Sequence, residues 1–185
     1  MKNLKDIVSE RLHINKNTKG YNYYPKDEVE LDKLIQELIK ERGNNADLND
    51  IDTSKIKNMD DLFAESNFDG DISQWNVSNV ESMESMFSNS KYTGQHGGIA
   101  NWDVSKVKIM SRMFENSSFN SDISNWDVSN VEDMFNMFFY CKNFDQNLDK
   151  WNPKSLKGYK GTMFIGCPLQ YNPPKWYKNI HKINY

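Results

Sequence analysis

Residues 71–87 read DISQWNVSNVESMESMF, and residues 122–138 read DISNWDVSNVEDMFNMF. The shared block, W-[DN]-V-S-x-V-x-x-M-x-x-M-F, decides the architecture. Its tryptophan falls at Trp75, Trp102, Trp126 and Trp151, in steps of 27, 24 and 25 residues. One period upstream, Ile51 takes the tryptophan's place in IDTSKIKNMDDLF, residues 51–63, which makes five units. Self-similarity at this period means small supersecondary units that bury their apolar faces against one another.

Within a unit, Val80, Met83 and Phe87 have i, i+3, i+7 spacing, as do Val107, Met110, Phe114 and Val131, Met134, Phe138. Ser78-Asn79-Val80-Glu81 and Ser129-Asn130-Val131-Glu132 have the S-x-x-E form of a capping box, so a short helix is expected there. The stretch before each tryptophan, such as residues 122–126, alternates apolar with polar and predicts a brief strand. One strand and one short helix per unit is an α/β repeat, and the expected fold is a short right-handed leucine-rich-repeat-like solenoid with a helical N-terminal cap. Residues 46–170 form the five-unit solenoid in this reading. Residues 1–45 form the cap, with a first helix on Leu4, Ile7, Val8 and Leu12 and a stronger one on Leu31, Leu34, Ile35, Leu38 and Ile39, stopped by Gly43. Residues 171–185 form a basic, aromatic C-terminal cap, all within one structural domain.

The units at 71–87 and 122–138 resemble the BspA-type leucine-rich repeat, and the helical lead-in from Pro25 resembles the segment that often precedes such arrays. The resemblance covers roughly residues 25–170 and implies a non-catalytic binding habit. Many such proteins are bacterial surface or secreted proteins, and others are carried by phages and mobile elements. This sequence shows no signal peptide, because charges at positions 2, 5, 6, 10 and 11 interrupt any apolar core. No apolar run approaches a membrane span. A cytoplasmic location is expected, in the host cell if the chain is phage-encoded.

The net charge of −3 is unevenly spread: +1 over residues 1–45, −10 over 46–150 and +6 over 151–185. An acidic body attracts basic partners. The recurring Trp75, Trp102, Trp126, Trp151, Met83, Met110, Met134, Phe87, Phe114 and Phe138, with Phe63 and Phe164, are structural ladders. Cys141 and Cys167 occupy a slot that holds Ser66, Ser90 and Ser117 elsewhere, so it selects for small size. Adjacent units would bring the thiols close enough to pair, but a reduced buried pair is expected in a cytosolic protein. Asp52, Asp103 and Asp127, like Asp47, Asp71 and Asp122, are expected to form Asx turns rather than a calcium ladder. His13, His96 and His181 are scattered. No metal site, cofactor, catalytic residue or enzymatic activity is expected.

Function is expected where the repeat breaks. A three-residue insertion makes Thr93-Gly94-Gln95-His96-Gly97-Gly98 a protruding loop. Phe135 stands where Glu84 and Ser111 stand in other units, and Phe139 where Ser88 and Glu115 stand, with Tyr140 beside them. Such a patch binds a partner or is covered by Tyr171, Trp176, Tyr177 and Ile180 of the tail; tail packing is the favoured outcome. The candidate partner-binding residues are Phe135, Phe139, Tyr140, Gln95 and His96, with the acidic Glu84, Glu115 and Asp133. The expected function is stoichiometric binding of another protein with a basic surface, by a monomer or weak oligomer, without direct nucleic-acid or membrane binding. An intracellular inhibitor of a host defence or nucleic-acid-handling enzyme, in the manner of an anti-CRISPR, is favoured over a generic adhesion-like module.

Overall fold

The computed structural model describes residues 20–157 and 162–181. The predicted first helix on Leu4 to Leu12 lies outside them. Helix α1 spans Glu28–Arg42. Its start is set by the Asp27 side chain, which accepts the Glu30 N–H at 2.9 Å, and by Glu28 and Glu30 in the first turn. It ends at Gly43, whose φ of 88° and N–H bond to the Ile39 carbonyl stop the helix. Leu31, Leu34, Ile35 and Leu38 are buried against the repeat, each contributing about 1.5–3 kcal/mol. Arg42 fastens the far end. Its guanidinium donates two bonds to the Asp50 carboxylate at 3.0 Å and one to the Asp47 carbonyl at 2.9 Å, and lies over the Tyr23 ring.

The α/β leucine-rich-repeat-like solenoid expected from the sequence is not what the chain forms. Among the described residues the helices are α1, a short α2 at Lys175–His181, and a 3-10 turn at Pro168–Gln170. Among the same residues there is no strand and no sheet, only five isolated parallel bridges such as Asn58↔Ser82 and Ser82↔Ile109. The units are strings of tight turns, and the backbone shows why. Ser85 and Asn89 have φ of 55°, and the same pair of slots is left-handed in Asp61/Glu65, Arg112/Asn116 and Asn136/Tyr140. A left-handed residue ends a right-handed helix after one turn. The supposed capping boxes cap no helix: the Ser78 N–H donates to the Asn76 side chain, and Glu81 reaches out to Lys108. The expected strand before Trp126 closes instead as a turn, with the Trp126 N–H on the Ile123 carbonyl.

What the repeat does fix is side-chain stacking between successive units. Phe63, Phe87, Phe114, Phe138 and Phe164 follow one another with ring centroids 5.5–5.8 Å apart. A second row, Phe68, Tyr92, Phe119 and Phe144, runs beside it at 5.8–6.3 Å. The buried tryptophans each donate their indole N–H to a carbonyl of the preceding unit: Trp75 to Leu48, Trp102 to Ile72, Trp126 to Ile99 and Trp151 to Ile123. Trp176 repeats the contact to Leu148, 25 residues beyond Trp151 and stacked on it at 6.4 Å. The residue assigned to an irregular tail is therefore a further tryptophan of the row, carried by α2. The Asx turns form as expected: Asp52, Asp103 and Asp127 accept the N–H two residues on, as do Asp47, Asp71 and Asp122.

Candidate functional site

The fourth unit carries the departure from the repeat. Because its backbone follows the same turns as its neighbours, Phe135 and Phe139, both half-buried, occupy the slots of the half-buried Glu84 and Glu115 and of the buried Ser111 and Ser88. The Phe135 carbonyl accepts the Arg112 N–H, and the Phe139 carbonyl accepts the Asn116 N–H, which places both phenylalanines directly after the third unit. Arg112 lies over the Phe135 ring at 5.6 Å and holds the Glu115 carboxylate at 3.5 Å. Burial raises the Glu115 carboxyl above its ordinary value despite the opposing charge of Arg112. Phe139 meets Tyr140 edge-on at 4.7 Å. Arg112, a residue that sequence reasoning did not single out, thus joins Phe135 to Glu115, while Phe139 and Tyr140 pack on each other.

The tail does not cover this face in the way expected. Trp176 packs on Trp151, and Tyr177 meets Phe164 at 4.9 Å. Tyr171 is 86% exposed and Ile180 39%. Tyr140, itself 45% exposed, shares a shallow pocket with Lys142, Gln170 and Tyr171. An aromatic strip therefore runs from Phe139 through Tyr140 to Tyr171, with Phe135 in the same unit against Arg112.

The other sequence candidates lie outside the strip's contacts. The 93–98 loop is anchored rather than projecting freely: Thr93 donates its N–H and hydroxyl to Asp69 at 2.8 Å, and His96 lies 3.4 Å from the same carboxylate. Gly94 is buried, while Gln95, His96 and Gly97 are exposed. Asp133 serves the scaffold by accepting the Phe135 N–H at 2.8 Å. Glu84 is half-buried in the second unit, and its N–H donates to Asp60.

A charge column runs along another face. Successive units place Lys57, Glu81, Lys108, Glu132 and Lys157 in one slot, with ion pairs Glu81–Lys108 at 2.8 Å and Glu132–Lys157 at 2.6 Å. The hydrogen bond and charge of Lys108 hold Glu81 below the ordinary carboxylate value, and those of Lys157 do the same for Glu132. Both cysteines are free and buried, and burial pushes their thiols up to about 11 for Cys141 and about 12 for Cys167. Among the described residues no group of three or more His, Cys, Asp or Glu is placed to hold a metal ion. No described helix is long and apolar enough to cross a membrane.

No curated protein and no solved structure matches the chain. The profile of one family, described as "Mycoplasma protein of unknown function, DUF285", matches twice, over residues 32–117 and 90–182. Overlapping matches of one profile are what an internally repeated sequence gives, and together they take in most of the chain, which belongs to that family.

Proposed function

We propose that the protein acts by stoichiometric binding of another protein and catalyses no reaction. The observation that carries this reading is the aromatic strip: phenylalanines replace polar residues at Phe135 and Phe139, Tyr140 is exposed against Phe139, and Tyr171 is exposed across a shallow pocket from Tyr140. Aromatic residues and arginine are the residue types that dominate binding energy at interfaces. The charge of −10 over residues 46–150 selects a partner with a basic surface. A nucleic-acid-handling enzyme of a host cell has such a surface, and a cytoplasmic inhibitor of one, encoded by a phage or mobile element, fits both features. In its repeat sequence, though not in its fold class, the chain is read as BspA-like.

The test is affinity capture from host lysate with the full chain and with a Phe135→Ser, Phe139→Ser double variant, which restores residues found in the same slots of other units. The wild-type chain is expected to retain a basic protein at low salt and release it at high salt. The double variant is expected to lose at least about tenfold in affinity. Equal capture by both would remove the aromatic face from the reading. Recovery of surface glycans or secreted proteins alone would overturn the intracellular inhibitor.

A further inference from the structure

Successive units are joined by a ladder of backbone hydrogen bonds in which every second residue donates. Met59, Asp61, Phe63 and Glu65 donate to the carbonyls of Ser82, Glu84, Met86 and Ser88 at 2.8–3.0 Å. Met83, Ser85, Phe87 and Asn89 donate likewise to Ile109, Ser111, Met113 and Glu115, and the pattern repeats at the next junction. The ladder therefore has polarity: N–H groups of one unit point toward carbonyls of the next. At its C-terminal end the chain takes up one of these donors itself. Gln170 accepts the Gly166 N–H at 2.7 Å, and Tyr177 lies against Phe164. At its N-terminal end, among the described residues, the chain takes up none of the matching acceptors. The carbonyls of Asn58, Asp60, Leu62 and Ala64 occupy the accepting slots of the first unit, and no donor among the described residues reaches them. Unpaired carbonyls at a ladder edge form a template for another chain.

Helix α1 covers the core of this unit and borders that edge. Glu28, Val29 and Asp32 form one wall of a shallow groove, and Asn58, Asp60, Asp61 and Leu62 form the other. Val29 is 57% exposed there. The groove holds four carboxylates and no basic side chain. The slot of Asp61 holds Ser85, Arg112 and Asn136 in later units, so this acidity belongs to the open edge and not to the repeat.

We infer that the first unit's edge binds an extended, lysine- or arginine-bearing segment of a partner protein, which continues the ladder with its own N–H groups and neutralises the groove. Backbone bonds to an open edge supply affinity, and alternate side chains supply selectivity. Charge complementarity selects the basic segment. A second copy of this chain would have to offer the N–H row of its last unit, in which the Gly166 N–H is already taken by Gln170. The inference rests on reading the chain as a binder of basic proteins, and it concerns a surface separate from the aromatic strip.

The test is a fluorescence-anisotropy titration of the full chain with a labelled decapeptide of alternating lysine and valine, beside two versions N-methylated on either the odd or the even residues. Saturable one-to-one binding is expected, with one methylated version at least about tenfold weaker and the other little changed. A Glu28→Gln, Asp61→Asn double variant should weaken binding about tenfold, while a Glu37→Gln, Glu41→Gln control of equal charge change should not. No binding, equal binding of both methylated peptides, or equal loss in the control would each overturn the edge site. Such a result leaves the capture experiment on the aromatic strip intact, so the two readings fail separately.

Discussion

Replacing Phe114 by alanine tests whether stacking between units holds this protein together. Phe114 is fully buried, between Phe87 and Phe138 at 5.6 Å each, against Phe119 at 4.0 Å and tilted on Trp126 at 6.5 Å. Phe164 is also buried but ends the row, with ring contacts, among the described residues, only to Phe138 at 5.8 Å and Tyr177 at 4.9 Å. Truncating a buried phenylalanine costs about 3–5 kcal/mol from lost transfer energy and the cavity left behind. Each ring pair adds about 0.5–1.5 kcal/mol beyond burial. Two further ring neighbours thus separate the two sites by about 1–3 kcal/mol. Phe114→Ala is expected near the top of the range, and Phe164→Ala correspondingly below it. Urea unfolding followed by tryptophan fluorescence, with the slope checked for constancy, measures both. Losses within about 0.5 kcal/mol of each other, or a Phe114→Ala loss below about 2 kcal/mol, would refute coupling through the stack.

Arg42→Ala should destabilise the protein by about 2–3 kcal/mol at neutral pH, because it strands the half-buried Asp50 carboxylate. Burial pushes Asp50 up, but hydrogen bonds from Arg42 and Asn22 outweigh it and leave the carboxyl below its ordinary value. The pair's stabilisation is therefore present above the ordinary carboxylate range and lost as pH falls through the depressed value. The gap between wild type and Arg42→Ala should close on acidification, and parallel unfolding midpoints from pH 7 to 3 would contradict this. Ser85→Val, with a β-branched side chain at a φ of 55°, should cost about 1–2 kcal/mol, while Ser85→Gly should change stability by less than about 1 kcal/mol. Cys141 and Cys167 should resist a thiol reagent at pH 8 in the folded protein and both react in denaturant; rapid labelling of the folded chain would contradict their burial. Lys108→Glu should lower the thermal midpoint at low salt, with the difference vanishing near 1 M salt, where screening acts within about 3 Å.

The tryptophan row and the first phenylalanine row were legible because stacking demands the same residue at the same slot, and the tryptophan spacing supplied the slots. The same arithmetic reaches Trp176, but the lysine-rich, proline-containing sequence around it disguised a register position as tail. The second row was missed because its members vary, with Tyr92 among phenylalanines and an offset of five or six residues from the first row. Helix was misread for a physical reason. Turns built on paired left-handed residues return valine, methionine and phenylalanine to one face just as a helix does. Composition held a counter-signal: the slot of Asn89 also holds Asn116 and Gly166, the residue types that tolerate positive φ. Arg112 was invisible as a site residue because its role needs Phe135 and Glu115 to be neighbours across two units.

The acidic excess that suggested a basic partner is largely occupied by the scaffold. Asp47, Asp52, Asp71, Asp103, Asp122, Asp127 and Asp133 close turns. Asp50, Asp69, Glu81, Glu115 and Glu132 face cationic or imidazole partners. A carboxylate that already accepts backbone N–H groups has less to gain from a partner's lysine than one that meets only water. Net charge alone therefore overstates how much of the surface can recruit a basic protein. Among the described residues, the carboxylates of Glu28 and Asp61 meet no donor, and they flank a row of ladder carbonyls that no donor reaches. Binding capacity of this kind collects at the end of a repeat because interior units spend their polar groups on one another.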